Sequence, residues 1–68
     1  MKLSARNQIP GTITAVKLGA TTTHVTIELS PTLTITSSIT NESAEELGLK
    51  VGGKATAIIK SSDVIVGV

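Results

Sequence analysis

Two short polar stretches hold most of the groups that could do chemistry. One is Ser4-Ala5-Arg6-Asn7-Gln8; the other is Lys60-Ser61-Ser62. Together they offer a guanidinium, an ammonium, hydroxyls and loop amides. All of these can donate hydrogen bonds, so the set suits a small tetrahedral dianion, which accepts bonds and donates none. Charge-assisted bonds to such an anion are the strong kind, and turn amides can form a concave nest for it. The plainer reading makes Arg6 and Lys60 ordinary surface cations, and on composition alone it is the stronger of the two.

Other chemistries find less support. One histidine and no cysteine exclude Cys-His catalysis and cysteine- or histidine-cluster metal sites. A Ser/His/Asp set could be drawn from His24, Asp63 and a serine, but no spacing favours it, so an enzyme is not expected. No G-x-x-x-x-G-K-[ST] or G-x-G-x-x-G run occurs, which removes the common nucleotide loops. Glu42, Glu45 and Glu46 could suggest a cation site, but on a helix they read as a solvated face. His24, on the polar side of its strand, reads first as a solvated or hydrogen-bonding residue.

The elements that must position these groups are mostly strands. Ile, Val and Thr fill 25 of 68 positions, and such residues favour the pleated state. Thr21 to Leu29 alternates, with Thr23, Val25, Ile27 and Leu29 on one face and Thr22, His24, Thr26 and Glu28 on the other. Thr32 to Ile39 repeats the pattern, with Leu33, Ile35 and Ile39 inward. Ile9 to Leu18 precedes them as a longer strand. Gly11 within it predicts a bulge or a close backbone approach, and Pro10 an edge or a bend. Gly19-Ala20 and Ser30-Pro31 mark the turns between these strands. Ala55 to Lys60 is a fourth strand, Ser61-Ser62 a tight turn, and Asp63 to Val68 a fifth strand with alternating Val64, Val66 and Val68.

One segment breaks the β rhythm. Thr40 is a good N-cap for a short helix. Glu42, Glu45 and Glu46 suit its N-terminal half, and Gly48 suits the left-handed position past its end. The order is β-β-β-α-β-β. It predicts an all-β class with one short helix, a five-stranded Greek-key barrel of the OB type. A small open sandwich is the alternative.

Size and charge narrow the function. A domain near 60 residues buries only about 60% of its unfolded surface, and small scaffolds add disulfides, metals or oligomerisation. With no Cys, Trp, Tyr or Phe, oligomerisation is the remedy left. The net charge of +1 is too near neutral for a protein devoted to a polyanion. Nucleic-acid binding by an OB barrel also needs stacking aromatics, and there are none. No apolar run approaches the roughly 20 residues of a membrane span, and the first residues lack the apolar core of a signal peptide. A soluble cytoplasmic protein, with no nucleic-acid or membrane partner, is the expectation.

The motifs resemble a known family. Ser4-Ala5-Arg6-Asn7-Gln8 followed by Pro10-Gly11-Thr12-Ile13 is similar to the opening of the molbindin (Mop) family. The likeness continues through Ile39 to Leu49, with its S-A-x-x-L-G-L helix, and through Val51-Gly52-Gly53-Lys54 to Ile58-Ile59-Lys60-Ser61-Ser62. It covers nearly all of the chain and fits one Mop domain over residues 1–68.

The resemblance implies a cytoplasmic OB-fold protein that assembles as a homohexamer, a trimer of dimers. Such proteins bind molybdate and tungstate between subunits and are thought to store or buffer the anion; no organic cofactor is expected. Carried over, the interfacial site takes Ser4, Ala5 and Arg6 from the first motif and Lys60 and Ser61 from the turn after the fourth strand. Ser43, in the first turn of the helix, comes from the neighbouring subunit. A second class of anion site near the three-fold axis maps to the Gly19-Ala20-Thr21-Thr22 loop, through Gly19, Ala20 and Thr22 with His24 nearby. A solvated strand face explains those residues equally well. An interaction module that hands molybdenum or a pterin-type cofactor to a partner is the functional alternative.

Overall fold

The longest strand sets the architecture. In the computed structural model, which describes all of Met1–Val68, β1 spans Asn7–Leu18. Its first half pairs antiparallel with β4 (Lys54–Ile59), from Asn7 opposite Ile59 to Thr12 opposite Lys54. Its second half pairs with β2 (Thr22–Ser30), from Thr12 opposite Glu28 to Leu18 opposite Thr23. β3 (Leu33–Thr40) lies on the far side of β2, giving the order β3-β2-β1-β4.

Local sequence explains how one strand serves two partners. At Pro10 only β4 flanks β1, so the missing amide costs no ladder bond on the open side. Gly11 is a close approach: a Cβ there would lie 2.6 Å from the Glu28 carbonyl oxygen and 2.6 Å from Ile27 Cγ2. The bulge comes later than Gly11, where the register slips between Ile13 and Ala15 and leaves Thr14 as the extra residue. The turn before β4 locks onto the same point. Ile13 N–H donates to Gly53 O and Gly52 N–H donates to Ile13 O, both at 2.8 Å. Gly52 manages this with φ 88°, which a side chain would resist.

The core follows the alternation of β2. Ile13, Val25, Ile27 and Ala57 form it, with Val16, Ile35, Ile39 and Leu49 packed around. Thr23, on the same face, is fully buried. Leu33 departs from expectation: it is 55% exposed, because it sits beside the Ser30 turn at the end of the sheet, beyond the reach of the core.

The helix α1 (Asn41–Leu47) packs against β2 and β3. Its ends match the capping residues in the sequence. Thr40 Oγ1 accepts from Ser43 N–H at 3.1 Å. Gly48, at φ 62°, and Leu49 close the last turn by donating to Glu45 O and Ala44 O. No helix is long and apolar enough to cross a membrane.

The mostly β, OB-type fold with one short helix is as expected, with one correction. Asp63 to Val68 is not a fifth strand within this chain. Ser61–Asp63 forms a single 3-10 turn, and Val64 to Val68 runs on without secondary structure, every residue exposed. The alternating valines have the composition of a strand, but no sheet edge of their own chain receives them. The sheet therefore curls without closing. Only 6 of 68 residues are buried, so the chain by itself leaves most of its apolar surface uncovered.

Candidate functional site

The ladder between β1 and β4 assembles the first candidate site. Asn7 stands opposite Ile59, and its Nδ2 donates to the Ile59 carbonyl at 3.1 Å. The ladder ends there, so Arg6, just before Asn7, and Lys60, just after Ile59, leave it at the same end. Two motifs more than fifty residues apart therefore meet at one corner. Gln8 braces the near side, where its Nε2 donates to Ala5 O at 2.9 Å.

The opening motif thus divides its labour. Asn7 and Gln8 hold backbone, while Ser4 and Arg6 stand exposed beside exposed Lys60 and Ser61. Across the corner, the 3-10 turn is closed by Asp63 N–H donating to Lys60 O at 2.8 Å and Val64 N–H to Ser61 O at 3.2 Å. The amides that open such a turn have no carbonyl one turn back to bond, so Ser61 and Ser62 offer donors at the corner. Two cations, hydroxyls and amides stand at this exposed corner, a set made only of hydrogen-bond donors and cations.

Ser43 is not gathered with this group inside the chain. It lies on α1, which packs on the β2–β3 side of the sheet. Its chemistry is suitable nonetheless. Thr40 Oγ1 donates to Ser43 Oγ at 2.9 Å, so the Ser43 hydroxyl proton stays free to donate elsewhere.

The second group, at the other end of β1, is more tightly bound into the fold. A shallow depression is lined by Lys17, Leu18, Gly19, Thr22 and His24. Lys17 and His24 are cross-strand neighbours, and Lys17 is a cation the sequence reading passed over. Ala20 does not line the depression. Its carbonyl, with that of Gly19, accepts from Asn41 Nδ2 at 3.3 and 3.1 Å. Asn41 N–H donates to Thr21 O at 3.0 Å, and Asn41 Oδ1 accepts from buried Thr23 Oγ1 at 2.6 Å. Asn41 is the keystone that sequence reasoning missed; its place directly after an N-cap, facing a Gly-Ala turn, was the available signal.

Comparison with known proteins fits this arrangement. The TOBE domain family matches residues 3–66. The chain belongs to that family. This TOBE domain is also 46% identical to molybdenum-pterin-binding protein 1 of Clostridium pasteurianum, over 97% of both chains, so the Mop resemblance of its motifs stands. Among solved structures it superposes on MopII of Clostridium pasteurianum with a TM-score of 0.91 and 42% identity, covering 98% of this chain and all of that one. It superposes on ModG, a cytoplasmic molybdate-binding protein solved with molybdate bound, with a TM-score of 0.94 and 47% identity. The TOBE domain here covers 48% of ModG's length.

Proposed function

We propose that this chain, as one Mop domain over residues 1–68, is a cytoplasmic binding protein for molybdate, and for tungstate by similar size and charge. It holds the anion between subunits of a homohexamer arranged as a trimer of dimers, for storage and homeostasis of molybdenum. No bond is made or broken, and no organic cofactor takes part. The observation that supports this reading is the β1–β4 register, with its Asn7–Ile59 clamp, from whose common end Arg6 and Lys60 both emerge.

The first-class site consists of Ser4, Ala5, Arg6, Lys60 and Ser61, completed by Ser43 of a neighbouring copy. Arg6 and Lys60 balance the dianion; Ser4, Ser43 and the turn amides direct it. Placing the anion across two copies also fits the small core, because a ligand held only by the assembly stabilises the assembly. Lys17, Gly19, Thr22 and His24 form the second-class site, with Lys17 now supplying its charge. A delivery role toward a pterin-containing partner is the second reading, favoured by the molybdenum-pterin name of the Clostridium relative.

Titration calorimetry of the wild-type protein with molybdate, tungstate and sulfate tests the binding reading. Saturable heat with molybdate and tungstate, accompanied by a rise in Tm, is expected. Neither heat nor a thermal shift would reject it. Retained binding of a reduced pterin in the absence of molybdate would move the balance toward delivery.

A further inference from the structure

His24 is the one histidine of the chain, and the β1–β2 ladder sets it directly opposite Lys17. Both side chains are exposed and line the same shallow depression, with Leu18, Gly19 and Thr22. The hydrogen bonds at this end of the molecule run elsewhere, through Asn41, Thr23 and the backbone of the loop. The ammonium of Lys17, the imidazole of His24 and the hydroxyl of Thr22 are left unspent.

No carboxylate shares the depression. On β3 the residue paired with His24 is Ser38. On β2 its neighbours on the same face are Thr22 and Thr26. Glu28 follows four residues on, opposite Thr12 and Thr34. That is about 13 Å along a strand, beyond the roughly 8–10 Å over which exposed charges act in ordinary salt. The helix α1 carries Glu42, Glu45 and Glu46, but it packs through buried Ala44 on the core side of the sheet. There Glu45 borders a separate depression with Val16 and Thr23.

A wall of one fixed cation and one histidine, with no acid beside it, is balanced by an anion from solution. Histidine is the side chain whose ordinary titration falls between pH 5 and 8, and a dianion in contact with it favours the imidazolium. We propose that this depression takes up its anion together with a proton on His24, so that binding there strengthens as pH falls through neutrality. The sign follows from reciprocity. An anion that raises the affinity of His24 for a proton must be bound more tightly when that proton is present. The Arg6–Lys60 corner has no such dependence, because the ordinary pKa values of arginine and lysine lie far above neutral. The two sites would then load differently, one at any pH near neutral and the other in proportion to acidity. The proposal rests on the anion-binding reading of the second depression.

The composition simplifies the test. The chain has no Phe, Tyr or Trp, so in deuterium oxide the ring protons of His24 give the only aromatic signals in the proton NMR spectrum. Their pH titration is followed on the wild-type protein without anion and with saturating molybdate. With molybdate the midpoint should move to higher pH by at least roughly half a pH unit, and it should do so in Lys60→Ala as well. In calorimetry the weaker binding step should gain roughly three- to fivefold in affinity from pH 8 to pH 6.5, a range in which molybdate itself stays a dianion. His24→Gln should abolish that gain. Saturable heat with an unmoved His24 midpoint would overturn the proton linkage and leave the anion-binding reading standing. A midpoint shift lost in Lys60→Ala would also overturn it, by placing the coupled anion at the first corner. No heat at any pH would reject anion binding itself.

Discussion

The two ends of β1 are built from similar residues and spend them differently. At the first end, Asn7 and Gln8 take the structural bonds and leave Ser4, Arg6, Lys60 and Ser61 exposed. At the second, Asn41 binds the backbone of Gly19, Ala20 and Thr21 and the hydroxyl of Thr23. The first end keeps its donors available for a ligand. The second has committed many of its polar groups to holding a loop in place. The difference separates the two proposed sites: polarity marks both, but the first keeps more of its donors unspent for an anion.

Mutations at the two ends should therefore separate stability from binding. The largest effect belongs to the second end. Asn41→Ala removes three side-chain hydrogen bonds and leaves the buried Thr23 hydroxyl unpaired, a loss of roughly 2–4 kcal/mol. A fall in Tm on the order of 10 °C, read by calorimetry without anion, is the expected result.

Next come the exposed cations. Arg6→Ala and Lys60→Ala each remove a charge-assisted bond to the anion, so affinity should fall roughly 10- to 100-fold. Without anion, their Tm should stay within a degree or two of wild type. Ser43→Ala should weaken binding by a smaller factor, roughly 5- to 10-fold for one neutral hydrogen bond, if the site spans two copies. Asn7→Ala lies between the classes. It loosens the clamp on Ile59 without removing a charge, and should lower both Tm and molybdate affinity by modest amounts. The smallest effects should come from Lys17→Ala and His24→Ala. They should leave the tighter binding step untouched and alter only a weaker one, visible in titration at higher anion concentration.

The residues explain how much the sequence could disclose. The strands and the helix were legible because period 2 in Thr23, Val25, Ile27 and Leu29 and the Thr40/Gly48 caps are local signals. The grouping of Arg6 with Lys60 was suggested by their chemistry and sharpened by family resemblance, but the register that brings Asn7 to Ile59 joins residues too far apart in sequence to be read locally. Asn41 was missed because its partners lie in a turn some twenty residues away. The fifth strand was misplaced for a different reason. Val64, Val66 and Val68 have the pattern of a strand, but pattern does not say which chain supplies the neighbouring edge. The same ambiguity applies to Ser43, whose free hydroxyl is visible in this chain while its proposed ligand lies against another.

The central claim is that the Arg6–Lys60 corner binds the anion. Calorimetric titration of Lys60→Ala with molybdate, beside the wild type at equal ionic strength, tests it most directly. An affinity at least roughly 10-fold weaker, with Tm in the absence of anion unchanged, is the result expected when one charge-assisted bond is lost. Wild-type affinity in that variant would contradict the claim and move the site elsewhere on the molecule.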